Sequence, residues 1–469
     1  MRFLSTTWLA LSAASLSLTL HISDGFYHVG ALTALGVTLV LAALGVSGVP
    51  WPWTARRRST DAEAQERAVL ASLLGLAVLA SALALVTRPL ARYMTDPRPW
   101  AHPTFLVVVA VMAAATIVGS VRPRGWRGAV AAGVLLAGGL WIGAWTITQS
   151  PNPHIDVIPV HVEAFDALAR GASPYAVTFA DMYGPDEAFY QPEMRRDGRV
   201  LFGFPYPPLS LLLAWPGHAL VGDLRYSEVF ALSLAAGLLV ALRRDGIGLL
   251  CAAALLLAPR LPFHVEQGWT EPFPIVLIAA TVATARWRPR LAWLPLGLLV
   301  ASKQHMVLAL PFAPWLLVAP TWRDVAKLYA GAALTGLVVT LPFALLDVEA
   351  FYRSAVVLQL REPFRLDSLS FARLFVALGW PLDRHGAVYV SLGAGLVAAC
   401  LAWWRAPRSP AGFAAALAVT CLFVTAFGKK AFLNYYMLVV AALLTAVAAH
   451  TAPDAARLRQ PGPVGHDAV

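Results

Sequence analysis

The chain predicts an all-α fold, a polytopic transmembrane helical bundle, and three observations carry that prediction. Of its 469 residues, 58% are hydrophobic and only 13% charged, and the mean hydropathy is +0.65. Polar residues must dominate the exterior of a soluble protein this long, so the apolar excess has to face lipid. The apolar runs are also continuous and close to the roughly 20 residues that cross a bilayer as a helix. They lack the residue-by-residue alternation of a transmembrane β-barrel. Finally, the net charge of +10 sits in short clusters between the runs: Arg56 to Arg58, Arg122 to Arg127, Arg286 to Arg290, and Arg405 with Arg408. That is the pattern of cytoplasmic loops under the positive-inside rule, and it excludes the basic face by which a protein holds nucleic acid.

The first spans are expected at 4–22, 28–49, 68–87, 104–121 and 128–148. Arg2 before a short apolar core has the look of a signal peptide, but no small-residue cleavage site follows and a second span comes at once, so a retained helix is expected. With the amino terminus inside, the loops holding Arg56–Arg58 and Arg122–Arg127 are cytoplasmic, and the long polar segment 151–206 faces outward. Arg88, Arg92 and Arg98 then fall on an outer loop, against the rule. Later spans are expected at 225–242, 246–260, 272–287, 291–302, 305–320, 325–345, 386–404, 410–427 and 432–449. The run Pro207 to Leu220, interrupted by Pro216, reads either as a full crossing or as a re-entrant half-helix, for a total of about 11–14 spans.

Three regions follow: N-terminal transmembrane helices over 1–127, a core over 128–450 that includes the outer loop 151–206, and a Pro/Ala-rich, disordered cytoplasmic tail over 451–469. No glycine-rich phosphate loop or nucleotide-binding domain is present, which argues against an ATP-driven pump. Cys251, Cys400 and Cys421 lie inside apolar runs, with neither metal nor disulfide spacing.

Chemistry-bearing residues gather in the segments assigned to the outer face. Asp156 emerges just after the fifth span, and a carboxylate at the edge of a bilayer is costly enough to mark a functional site. In HVEAFDALARG, Val162, Phe165, Leu168 and Ala169 recur at helical spacing, which predicts an amphipathic helix on the outer surface stopped by Gly171. Glu163 and Asp166 on its polar side read as solvated charges. Cations stand in three sets, Lys303 with His305, Arg361 with Arg365, and Lys429 with Lys430. His264, Glu266 and Glu271 flank Gln267 and Trp269, a combination that either holds a sugar ring or belongs to an interfacial aromatic belt. A divalent metal is compatible with Asp156, His264 and Glu266 by ligand type. No spacing demands it, so the divalent metal stays an open alternative and no other cofactor is implied.

The order of a span, an outward loop with an early aspartate, the phrase ARGASPY at 169–175 and FPYPPL at 204–209 entering the next run resembles the glycosyltransferase C superfamily. More narrowly, it is similar to the bacterial polyprenol-phosphate-dependent transferases that include the phosphatidylinositol-mannoside mannosyltransferases. The resemblance covers residues 128–450. EQGW at 266–269 stands where a Gly-Gln-Asn type phrase is expected, which leaves that patch without an assigned role. The resemblance implies a multi-pass protein of the plasma membrane with its site on the outer face. It also implies a polyprenyl-phosphate-sugar donor, with mannose or arabinose as candidates, and a lipid-linked or glycan acceptor.

Such a transfer suits these residues. The acceptor hydroxyl needs one base within hydrogen-bond reach, and Asp156 is placed for it. The phosphate leaves as an anion and needs cations rather than a general acid, which hydrolases supply with a second carboxylate. A transporter or lipid flippase is the alternative reading, although no internal repeat of the transporter kind is visible. A catalytically inert partner in envelope assembly is a third.

Overall fold

A computed structural model describes residues 4–52, 60–123, 125–184 and 189–450. The expected tail over 451–469 and Arg56–Arg58 lie outside the described residues. Most of the rest is helical. Five helices precede the long loop: α1 (Thr6–Ser23), α2 (Val29–Val46), α3 (Thr60–Thr87), α4 (Pro103–Val121) and α5 (Trp126–Gln149). The loop carries α6 (Val157–Ala169) and leads into α7 (Pro208–Val221). The second half continues with α8 (Arg225–Leu242), α9 (Ile247–Leu256), α10 (Leu261–Glu266), α11 (Pro272–Trp287), α12 (Trp293–Ser302) and α13 (Trp322–Leu346). Short helices α14 (Val348–Tyr352), α15 (Leu358–Arg361) and α16 (Phe371–Ala377) precede α17 (Arg384–Arg405), α18 (Pro410–Ala426) and α19 (Leu433–Ala449).

Seven of these helices, α2, α3, α4, α5, α8, α13 and α17, are long and apolar enough to cross a membrane. The chain is therefore a multi-pass membrane protein. The lipid-facing side is legible on α13, where Leu334, Leu337, Val338, Leu341 and Leu345 are exposed at one helical stripe. Polar solvent would penalise such a stripe, and lipid does not. The centre is made of shorter helices. In α18 and α19 almost every residue is buried, because each is apolar all round and is surrounded by other helices. Ser409 starts α18 by accepting the Gly412 N–H, and Pro410 occupies the first turn, where its missing N–H costs nothing.

Two expected spans come out differently. The run 246–260 is helical only over α9, then turns into the six-residue α10. The run 305–320 is a 3₁₀ segment, Gln304–Leu316, with Pro311 and Pro314 inside it. Each proline removes an N–H and crowds the preceding turn, so a regular α-helix is not available to this stretch.

The bundle has two ends, distinguished by the bonds that tie its loops together. At one, Arg225 Nη1 of α8 donates to Ser150 O just after α5 (2.8 Å), Thr95 N–H donates to Gln149 O (2.8 Å), and Leu369 N–H donates to Gly25 O (3.0 Å). At the other, Arg243 Nη1 donates to His450 O (2.8 Å) and Arg286 Nη1 to Ala449 O (3.2 Å). The first is called here the loop end and the second the arginine end. Both ends of α7 lie at the loop end: Gln304 Nε2 donates to Pro205 O before it (2.8 Å), and Gly217 N–H within it donates to Ser227 Oγ at the start of α8 (2.7 Å). The Pro207–Leu220 run therefore returns to the face it started from. Its ring of His218 stacks on Phe165 of α6, centroids 4.6 Å apart.

The loop 151–206 also contains strands that its sequence does not announce by hydropathy. β1 (Phe179–Ala180), β2 (Arg195–Arg196) and β3 (Arg199–Val200) pair antiparallel in the order β1-β3-β2. Asp197 and Gly198, both at positive φ (51° and 71°), make the two-residue turn of the β2–β3 hairpin. An Asp-Gly pair favours that turn, because its twist matches the strands. A small apolar core under the loop, including Phe165, Tyr175, Phe179, Val200 and Phe204, fixes it to the bundle. Gly203 is required at its position, since a Cβ there would sit 2.2 Å from Tyr175 O. The Gly203 N–H meets Ser354 Oγ at 2.8 Å, and that hydroxyl donates on to Tyr175 O.

Candidate functional site

Asp156 occupies the N-cap position of α6, yet its side chain makes no capping bond. An aspartate there ordinarily accepts from the first-turn N–H groups. Instead, the Tyr190 hydroxyl donates to Asp156 Oδ2, and the Asp156 N–H donates to Tyr183 Oη at 3.0 Å. Burial, with the nearby charge of Asp156 adding to it, pushes both phenols well above their ordinary range. Each therefore stays a neutral O–H, and Asp156 is a half-buried carboxylate held by a neutral donor. Glu163 on the same helix is half-buried and Asp166 is exposed.

The loop before α19 adds cations. Lys430 Nζ pairs with Glu362 Oε1 at 2.6 Å. Burial opposes the charge of Lys430, but Glu362 outweighs it and Asp156 contributes in the same sense, so its ammonium is held above the ordinary lysine range. Asp156 and Lys430 thus share one electrostatic neighbourhood. Lys429 Nζ caps α15, donating to Gln359 O (2.8 Å) and Glu362 O (2.9 Å). Burial pushes it down to about 8. Arg365 pairs with Asp367 at 2.6 Å, and its guanidinium carbon lies 4.2 Å from the Phe189 ring centroid and 4.8 Å from that of Phe432. Arg361 is exposed, and its carbonyl accepts from Arg384.

Lys303 is the deepest cation, only 5% exposed. Its Nζ bonds Glu271 Oε1 and Thr270 Oγ1, the latter at 3.0 Å, while Asn434 Nδ2 donates to the same Glu271 oxygen at 2.7 Å. Tyr206 and Tyr435 flank it, with ring centroids 5.1 and 5.9 Å from Nζ. His305 lies edge-on to Tyr435 at 5.7 Å. Burial first, and then the charges of Asp156 and Glu271, push the Tyr206 phenol well above its ordinary range.

The structure brings Asp156, Lys303, His305, Lys429, Lys430 and Arg365 to the loop end. It does not put Glu266 and Gln267 to the same use. Glu266, fully buried, accepts from the N–H groups of Arg92 and Tyr93 (2.7 Å each), from Ser150 Oγ (3.0 Å) and from Gln267 Nε2 (3.1 Å). These bonds tie the 88–102 loop to the bundle. The His264 ring is buried, makes no hydrogen bond among the described residues, and meets Trp269 edge-on at 5.6 Å. The metal set of Asp156, His264 and Glu266 is not assembled, and among the described residues no three His, Cys, Asp or Glu side chains converge as ligands. The reason is geometric: Glu266 turns toward backbone donors and Asp156 toward Tyr190.

Sequence reasoning missed Tyr183, Tyr190 and Glu362. No local pattern distinguishes them, because their partners lie 27, 34 and 68 residues away. No family model, curated protein or solved structure matches the chain.

Proposed function

We propose that the protein is a membrane glycosyltransferase that moves a sugar from a polyprenyl-phosphate donor to a lipid-linked or glycan acceptor at the loop end of the bundle. In this reading Asp156 is the general base, and the loop end is the extracytoplasmic face of the plasma membrane. The observation that carries it is a carboxylate released from capping duty, oriented by Tyr190, in the field of Lys430. The base takes the acceptor proton while the acceptor oxygen attacks the anomeric carbon and the glycosidic C–O bond to phosphate breaks. The departing phosphate keeps the bond electrons, and in this reading Lys429, Lys430 and Arg365 exchange their present partners for that charge. Orientation rests on the arginines of the opposite end, Arg122, Arg127, Arg243, Arg286 and Arg288, which fit a cytoplasmic face. Helix α6, with Val160, His161, Ala164 and Phe165 buried and Asp166 exposed, serves as the outer amphipathic helix. The test is transfer of labelled sugar from a polyprenyl-phosphate donor by the purified protein in nanodiscs. Absence of transfer with mannosyl and arabinosyl donors alike would count against the reading.

The buried Lys303–Glu271 pair favours one second reading, a polytopic transporter, since ionisable pairs inside a bundle often line a substrate or proton path. Uptake assays in proteoliposomes under a pH gradient separate the two.

A further inference from the structure

We propose that the loop after α3 forms an acceptor subsite, in which Tyr93 and His154 take the apolar face of an acceptor sugar ring and Arg92 bonds its hydroxyls. The inference rests on the glycosyltransferase reading and deepens it, and residues 88–98 lie outside the stretch that resembles any transferase. The three arginines of this loop oppose the positive-inside pattern, and the structure sorts them. Arg88 is spent on Asp24 at 3.2 Å and Arg98 on Asp96 at 2.8 Å. Arg92 is exposed, and its guanidinium carbon lies 5.8 Å over the ring of its own neighbour Tyr93.

The backbone beneath Arg92 and Tyr93 is held unusually firmly. Both N–H groups donate to the wholly buried Glu266 carboxylate, so a buried charge is committed to fixing two surface residues. Charge-assisted bonds of this kind are about twice as strong as neutral ones. A run of rings connects the fixed pair to the candidate base. Tyr93 meets His154 edge-on at 6.5 Å, and His154 meets Tyr183 at 5.6 Å and 90°. Tyr183 in turn accepts the Asp156 N–H. His154 is exposed and Tyr93 half-exposed. A pyranose or furanose offers C–H groups on one face and hydroxyls at its edge, which matches aromatic faces bordered by a guanidinium. A fatty alcohol, with no hydroxyl beyond the reacting one, would leave Arg92 unused.

The test is saturation-transfer NMR on the full chain in nanodiscs with a panel of hexose and pentose disaccharides, alongside a separate binding assay for polyprenyl phosphate. Wild type should saturate the ring protons of at least one disaccharide. Tyr93→Ala and Arg92→Gln should each cut that signal at least fivefold, and Tyr93→Phe should preserve it. Polyprenyl phosphate binding should stay within twofold in every variant. Because Glu266 holds backbone rather than side chains, Tyr93→Ala keeps the anchor and should remain folded, and Arg98→Gln serves as the neutral control. Disaccharide signal unchanged in Tyr93→Ala, or absent with wild type, overturns the subsite. Failure of wild type to bind polyprenyl phosphate or to transfer sugar overturns the transferase reading instead.

Discussion

Replacing Asp156 by asparagine isolates the base from the fold. The side chain keeps its shape, and its Oδ1 can still accept from Tyr190. The bond changes from charge-assisted to neutral, a loss of about 1 kcal/mol in a half-exposed place. The N–H to Tyr183 is backbone and is untouched. Stability should therefore fall by about 1 kcal/mol or less. Transfer should fall much further, by about 10²- to 10⁴-fold, the usual contribution of a positioned base. At about 1.4 kcal/mol per tenfold, that is roughly 3–5 kcal/mol of transition-state stabilisation. The assay is initial-rate transfer of labelled sugar in nanodiscs, with donor binding and thermal unfolding measured on the same preparation. Glu163→Gln and Asp166→Asn should be mild by comparison, since both face outward or are half-exposed. Tyr190→Phe should fall between, on the order of ten- to a hundredfold, as expected when a reacting group is misplaced rather than removed. Normal turnover by Asp156→Asn refutes the assignment of the base. Full activity in all four variants refutes the catalytic role of the loop.

Three further outcomes are expected. Lys303→Met should lose about 3–5 kcal/mol of stability, because it strands Glu271 as a buried charge, and Lys303→Met with Glu271→Met should recover most of the loss in a thermal melt; a melt unchanged by the single substitution would remove the buried ion pair. Transfer should decline as pH rises through about 8, where Lys429 loses its proton, and Lys429→Arg should move that limb upward. The group binds fewer protons folded than unfolded between about 8 and its ordinary 10.5, so its contribution to stability rises with pH there, and a falling rate cannot be assigned to unfolding through Lys429. Single cysteines at Asp197 and Glu349 should react with an impermeant maleimide in intact cells while one at Arg288 does not; labelling of only one of the first two would break the shared face.

Much of the fold is legible in the sequence because lipid imposes a local rule. A helix must present about 20 apolar residues to span, so α2 through α5, α8, α13 and α17 are found near their expected positions. The site is less legible. Asp156 stands out because a carboxylate at a membrane edge is costly, and Lys303 stands out for the same reason. Their partnerships do not, since Tyr190 is an ordinary residue and nothing in the run from His264 to Glu271 ties Glu271 to Lys303 until folding brings them near. Glu266 shows the same limit in reverse: its neighbours in sequence suggested a ligand, while its bonds go to a loop more than 170 residues away.

The sequence by itself determined that this chain lives in a membrane, where its charges cluster, and which carboxylate is worth testing. Those are properties of composition and of runs, and solvation acts on them residue by residue. Only the tertiary structure decided that α7 returns to the face it left, that Glu266 anchors Arg92 and Tyr93, and that Lys303 is spent on Glu271. A run of apolar residues has length but no direction, and the partner of a buried charge is set by packing between distant segments.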